Sequence, residues 1–124
     1  MRRLGELENA VMDRLWARNQ PATVRDVLDD LCQERQLAYT TVMTVMDKLY
    51  RKGFLRRALD GRAYRYEPVY TREAYTAELM HDAWAFSGSQ AVALVHFLER
   101  MSPEQRGALQ DALRVVTQQP ERAD

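Results

Sequence analysis

At Gly53 the spacing of apolar residues changes abruptly, and that change constrains the fold more than any other feature of the chain. Before it, Val42, Val45, Met46 and Leu49 recur at intervals of three and four, which is one face of an α-helix running from about Thr40. After it, Phe54 to Leu59 and Arg62 to Pro68 alternate with period two, and the Asp60-Gly61 pair between them is the strongest short-range signal for a hairpin. Gly53 stands where a left-handed C-cap would stop the helix. A two-stranded ribbon is marginal by itself, so this one must pack on the helix it follows. Leu55, Ala58 or Leu59, Tyr64 and Tyr66 are placed to cover the helices, with Arg57, Arg62 and Arg65 facing out.

Upstream, Leu4, Leu7, Val11 and Leu15 predict a first helix over 4–18, with Trp16 as a core anchor. Asn19 to Ala22 breaks the pattern. Thr23 is then a good N-cap, Asp26 three residues on closes an approximate capping box, and Val24, Val27, Leu28 and Leu31 mark a second helix. Two short amphipathic helices joined by the polar turn Gln33 to Gln36 form a helix-turn-helix with a long connection. With the hairpin directly after the third helix, the pattern is a winged helix. The fold class expected is mostly α with a small two-stranded β-wing, residues 1–69 forming the winged helix-turn-helix domain.

The third helix has a second face, opened by Tyr39 and Thr40 and continued by Thr41, Thr44, Lys48 and Arg51. Threonine can donate to or accept from base edges and can touch the thymine methyl, while Lys and Arg hold phosphates. The alternative is an amphipathic core helix with a solvated face. Charge favours nucleic acid. The net charge of zero conceals a surplus of three cations over residues 1–68 and of three anions over 69–124. Between Lys48 and Tyr66 lie seven cations and one anion, Asp60, the local footprint of a DNA-binding surface. The tyrosines could instead be stacking platforms for single strands, but their positions suit core and wing packing, and Tyr39 alone is kept as a DNA contact.

Residues 70–124 predict three more helices and a polar, frayed tail from Gln118 to Asp124. Thr71 caps the fourth, Ser87-Gly88-Ser89 separates it from the fifth, and Ser102-Pro103-Glu104-Gln105 opens the sixth. Leu79, Trp84, Val92, Val95, Leu98, Leu109 and Leu113 exceed what three short helices can bury among themselves, so this region is expected to be a dimerisation domain covered by a second copy.

An enzyme is not expected, because there is no phosphate loop, nucleophile elbow or Cys–His pair. His81 and His96 lie on different helices without clustered partners, so neither a metal nor another cofactor is expected. Cys32 excludes an intrachain disulfide and reads as a small core residue, the alternative being a redox-sensing thiol. Acidic residues interrupt the N-terminal segment, and no apolar run is long enough to span a membrane, so a cytoplasmic location is expected.

The stretches Leu-Glu-Asn-Ala-Val-Met-Asp-Arg-Leu-Trp (7–16), Ala-Tyr-Thr-Thr-Val-Met-Thr-Val-Met-Asp-Lys-Leu (38–49), Lys-Gly-Phe-Leu (52–55) and Arg-Ala-Tyr-Arg-Tyr-Glu-Pro-Val (62–69) resemble the penicillinase-repressor family, BlaI/MecI/CopY. Ala-Leu-Val-His-Phe-Leu (93–98) extends the resemblance into the tail, and the actinobacterial BlaI branch is the most similar. The resemblance implies a homodimeric repressor on palindromic TACA/TGTA-like operators, released when a membrane sensor-protease that detects a β-lactam leads to cleavage in the dimerisation domain. The family's scissile Asn-Phe bond falls at His96–Phe97, where His replaces Asn. The paired Cys-x-Cys motifs of the copper-sensing branch are absent. Two other readings stay open: a regulator released by a small effector held between the dimer helices and the wing domains, and a protein-interaction module whose basic wing is only a solvated surface.

Overall fold

A computed structural model describes residues 3–118. The elements run α1 (Glu6–Arg18), α2 (Val24–Leu31), α3 (Tyr39–Arg51), β1 (Leu55–Asp60), β2 (Ala63–Pro68), α4 (Arg72–Phe86), α5 (Gln90–Glu99) and α6 (Pro103–Gln118). They form two compact units that divide between His81 and Asp82, inside α4. The sequence reading places the division earlier, at 69/70. It falls later because the first turns of α4 belong to the first core: Tyr75 is buried, its hydroxyl accepts from the Leu4 amide at 3.1 Å, and its ring packs on Trp16 and Phe54. The predicted tail beyond Gln118 lies outside the described residues.

The first unit is a winged helix. Its core is one apolar cluster to which α1 gives Val11, Met12 and Leu15, α2 gives Val27, Leu28 and Leu31, and α3 gives Val42, Met46 and Leu49. The caps follow the sequence. The Thr23 hydroxyl accepts from the Asp26 amide at 3.1 Å, and the Asp26 carboxylate accepts from the Thr23 amide at 3.0 Å. At the end of α3, Gly53 adopts φ +88°, while the Gly53 amide donates to the Tyr50 carbonyl and the Phe54 amide to the Leu49 carbonyl. That paired return closes the helix and turns the chain into the hairpin, and the positive φ explains why the position is glycine. Helix α1 begins at Glu6 rather than at residue 4, with Gly5 as an extended N-cap and Leu4 before it buried in the core.

Strands β1 and β2 pair antiparallel with Leu55 opposite Pro68 and Asp60 opposite Ala63, and Gly61 takes φ +66° in the turn. Residues facing each other across the ladder share a side of the ribbon. Leu55, Arg57 and Leu59 therefore lie on the side of Tyr64 and Tyr66, while Arg56, Ala58 and Arg65 lie on the other. Two expectations are corrected here, the first by parity and the second by distance from the core. Arg57 does not face out with Arg62 and Arg65, and only Leu55 and Tyr66 are buried, Leu59 and Tyr64 being exposed near the tip. The ribbon also gains an anchor the sequence did not announce: Ala22, in the connection before α2, forms a bridge to Tyr66 through two backbone hydrogen bonds of 2.8 and 2.9 Å.

Cys32 is a further correction. It lies just past the last residue of α2 and is exposed, because Leu28 and Leu31 already fill the buried face.

Helix α1 is fastened to the end of α3 by the Glu8–Lys52 ion pair at 2.8 Å, with both side chains largely covered. Burial pushes the Glu8 carboxyl up, but Lys52, the Gly5 amide and the nearby Lys48 together outweigh it and hold the group below the usual glutamate value. Because the folded group titrates below its unfolded value, its contribution to stability is complete at neutral pH and is lost as pH falls through the acidic range. Glu8→Gln is expected to cost about 1–3 kcal/mol at pH 7 and to lose less stability than the native chain between neutral pH and pH about 3. Urea titrations across that range check both, and equal pH slopes would contradict the assignment.

In the second unit, the Trp84 indole donates to the Gln90 carbonyl at 2.8 Å, folding the end of α4 onto the start of α5. Ser102 and Gln105 form the expected reciprocal cap of α6. Leu98 and Leu109 are half-buried and line a shallow groove between α5 and α6. Neither helix holds a buried residue. Among the described residues no helix is long and apolar enough to cross a membrane.

Candidate nucleic-acid interface

Three elements of the first unit converge on one exposed surface: the start of α2, the outer side of α3 and the wing. The core residues Val42, Met46 and Leu49 fix which way α3 turns its other side. Thr40, Thr41, Thr44, Lys48 and Arg51 are all exposed, as is Tyr39 at the first position. The Thr44 hydroxyl donates to the Thr40 carbonyl at 2.8 Å. Its hydrogen is thus held by the helix, and what it turns outward is an acceptor oxygen and a methyl group.

The cations divide into two groups. Arg51, on the same helix, donates to Asp47 at 2.8 Å and is three-quarters exposed. Arg57 reaches the other oxygen of Asp47 at 3.2 Å and lies 3.4 Å from the Tyr66 hydroxyl. Its guanidinium also sits 4.0 Å from the centre of the Tyr50 ring and 4.1 Å from that of Tyr64. Arg57 is thus a strut between wing and α3, held by an acid, a hydroxyl and two aromatic faces. Arg51, with Arg57 behind it, holds the Asp47 carboxyl below the usual aspartate value, so Asp47 stays ionised between them. Lys48 and Arg62 make no ion pair with a described residue. Arg62 is exposed beside the hairpin turn, and Arg65 pairs with Asp60 at 2.6 Å on the outer side of the ribbon.

Five of the seven cations between Lys48 and Tyr66 therefore have acidic partners, three of them (Glu8, Asp47 and Glu67) outside that window. The exposed pairs of Arg51, Arg56 and Arg65 are of the kind worth little in water, so these side chains can exchange a carboxylate for a phosphate. Lys52, bound to the covered Glu8, cannot do so without breaking the α1–α3 fastening.

Between α3 and the wing lies an open cleft of about 530 Å³. Thr44 and Arg62 line it, and so do Arg25, Met43 and Tyr64, which the sequence reading did not assign to the interface. Arg25 lies over the Tyr39 ring at 5.1 Å. Of the unassigned residues, Met43 had a readable signal. Tyr39, Met43 and Tyr50 recur at intervals of four and seven, a second row along α3 beside the threonines.

The residues predicted for dimerisation separate. Leu79 is half-buried against the core of the first unit, and Leu98 and Leu109 share the α5–α6 groove, whereas Trp84, Val92, Val95 and Leu113 are exposed. His96 and Phe97 are exposed within α5, so their peptide bond lies inside a helix. Among the described residues no three His, Cys, Asp or Glu side chains gather as metal ligands.

The model of the penicillinase repressor family matches residues 4–115. A relative from Mycobacterium tuberculosis, the transcriptional regulator BlaI, is 51% identical over 114 residues, which is 90% of this chain and 83% of that protein. Two solved structures share the winged-helix fold at 23% identity. One is the DNA-binding domain of the repressor BlaI, with a TM-score of 0.52 over 59% of this chain and 88% of that one. The other is Bacillus licheniformis BlaI in its monomeric form with the blaP half-operator, with a TM-score of 0.50 over 60% and 89%.

Proposed function

The chain belongs to the penicillinase repressor family, and from that premise we propose that it is a cytoplasmic, homodimeric repressor of palindromic TACA/TGTA-like operators. The observation that carries this reading is the outer face of α3, where Thr40, Thr41, Thr44 and Arg51 stand exposed beside a wing whose Arg62 has no acidic partner among the described residues. In this reading α3 enters the major groove, Thr41 and Thr44 read bases, and Lys48 and Arg51 hold the backbone with Tyr39 and Thr40 at the entry of the groove. Arg62 and Arg65 reach phosphate or the neighbouring minor groove, and Arg57 acts through the wing's position. A second copy covers the exposed Trp84, Val92, Val95 and Leu113. Derepression follows loss of that dimer, through cleavage at His96–Phe97 downstream of a membrane sensor-protease; since the bond is helical, α5 must open locally before a protease can hold it.

The test is operator titration with the palindrome and a scrambled duplex. The native chain is expected to prefer the palindrome, and Thr44→Ala to lose about 1–3 kcal/mol on it while changing little on scrambled DNA. No preference in the native chain refutes the reading, and equal losses on both duplexes refute the role of Thr44.

A second reading, release by a small effector, is favoured by a cleft of about 480 Å³ in the first unit, lined by Trp16, Pro21, Arg56, Tyr70 and Arg72. Release of the operator by a small molecule with no protease present would select it.

A further inference from the structure

We propose that Met43 is a specificity residue that reads a thymine methyl in the major groove, a proposal that rests on the operator-binding function above. Met43 stands on α3 next to Thr44, 42% exposed, in a row with Tyr39 and Tyr50, each of which carries an arginine over its ring. It lines the cleft beside the wing without being buried by it. An unbranched, polarizable thioether gains nothing from water and adapts its shape to whatever apolar group is offered.

The surroundings decide what that group is. Arg25 and Arg62 line the same cleft, and both are exposed cations. An apolar peptide would leave these charges beside an uncharged ligand, whereas a duplex satisfies them with phosphates on either side of the groove. Within the major groove, the C5 methyl of thymine is the apolar group that base edges present. Met43 also sits one turn after Tyr39, against which Arg25 is stacked at 5.1 Å, so the cation and the thioether face the same groove from adjoining elements. The outward oxygen of Thr44 is an acceptor and so fits the N6 amino group of the adenine paired with that thymine rather than the thymine O4, while Met43 meets the methyl, which cytosine lacks.

Deoxyuridine tests this, because it removes the methyl and nothing else. The intact protein is titrated with the palindrome carrying deoxyuridine at each thymine of the half-site in turn, placed symmetrically in both halves. One position is expected to weaken native binding, by about fourfold for each half-site as judged from the burial of one methyl group. At that position Met43→Ala is expected to bind the thymine and deoxyuridine duplexes equally. Met43→Leu, which keeps the apolar bulk, and Arg62→Ala, which leaves the helix untouched, are both expected to retain the discrimination. If no thymine is sensitive, or if Met43→Ala still discriminates, the proposal is overturned while operator recognition stands. If the native chain does not prefer the palindrome to scrambled DNA, the functional reading fails and the proposal falls with it.

Discussion

A chain ending at His96 is expected to sediment as a monomer and to bind a full palindrome about 10²–10⁴-fold more weakly than the intact protein. The truncation removes α6 and the last turn of α5. With them go Leu109, which shares a groove with Leu98, and the exposed Phe97, Leu113, Val115 and Val116. The second unit leaves no residue of α5 or α6 buried, and Val92, Val95 and Leu113 are each more than half exposed. Each large aliphatic covered by a partner contributes roughly 1.5–3 kcal/mol, so a few across a two-fold axis are sufficient for association. A single winged domain meets one half-site, and joining two makes the second contact intramolecular. Residues 3–81 keep their own core, so binding to a half-site should survive. Sedimentation at micromolar concentration and operator titration check the two parts. A truncated chain that stays dimeric and binds the palindrome like the intact one would overturn both the dimer surface and cleavage as the means of release.

Leu49→Ala is expected to destabilise the winged unit by about 2–5 kcal/mol, since it opens a cavity that neighbouring side chains can only partly refill. Leu49 is fully buried beside Val42 and Met46. Its carbonyl also accepts the Phe54 amide at the joint between α3 and the wing, so a shift there would misalign both elements of the proposed interface together. For a unit of this size each kcal/mol lowers the melting midpoint by roughly 4–8 °C. Self-association should be unchanged, because Leu49 lies outside the second unit. A circular-dichroism melt measures the first effect and sedimentation the second. A melt unchanged from the native chain would place Leu49 outside the core.

The sequence by itself determined the elements and their order. Period and capping are local: Val42 to Leu49 define a helical face, Thr23 with Asp26 and Ser102 with Gln105 satisfy backbone groups three residues away, and Gly53 and Gly61 supply the positive φ that each turn requires. The outward threonines of α3 follow from the same arithmetic, because burying Val42, Met46 and Leu49 leaves Thr40, Thr44 and Arg51 on the far side. The resemblance carried in these stretches also named the family that the comparisons establish.

Only the tertiary structure decided who partners whom. Charge counted along the chain gave a basic stripe between Lys48 and Tyr66. The acids that neutralise most of it arrive from α1, from α3 just before the window and from β2 just after it. Strand parity was open in the sequence by one residue, and a slip of one exchanges the two faces of a ribbon. The observed register turns Arg57 inward, between Tyr50 and Tyr64, and makes a wing support of a residue that composition marks as a phosphate contact. The bridge from Ala22 to Tyr66 and the inclusion of Tyr75 in the first core have the same origin. Such contacts join residues far apart in the chain, and their energy depends on distance in space and on exclusion of water, neither of which a local pattern of residue types contains.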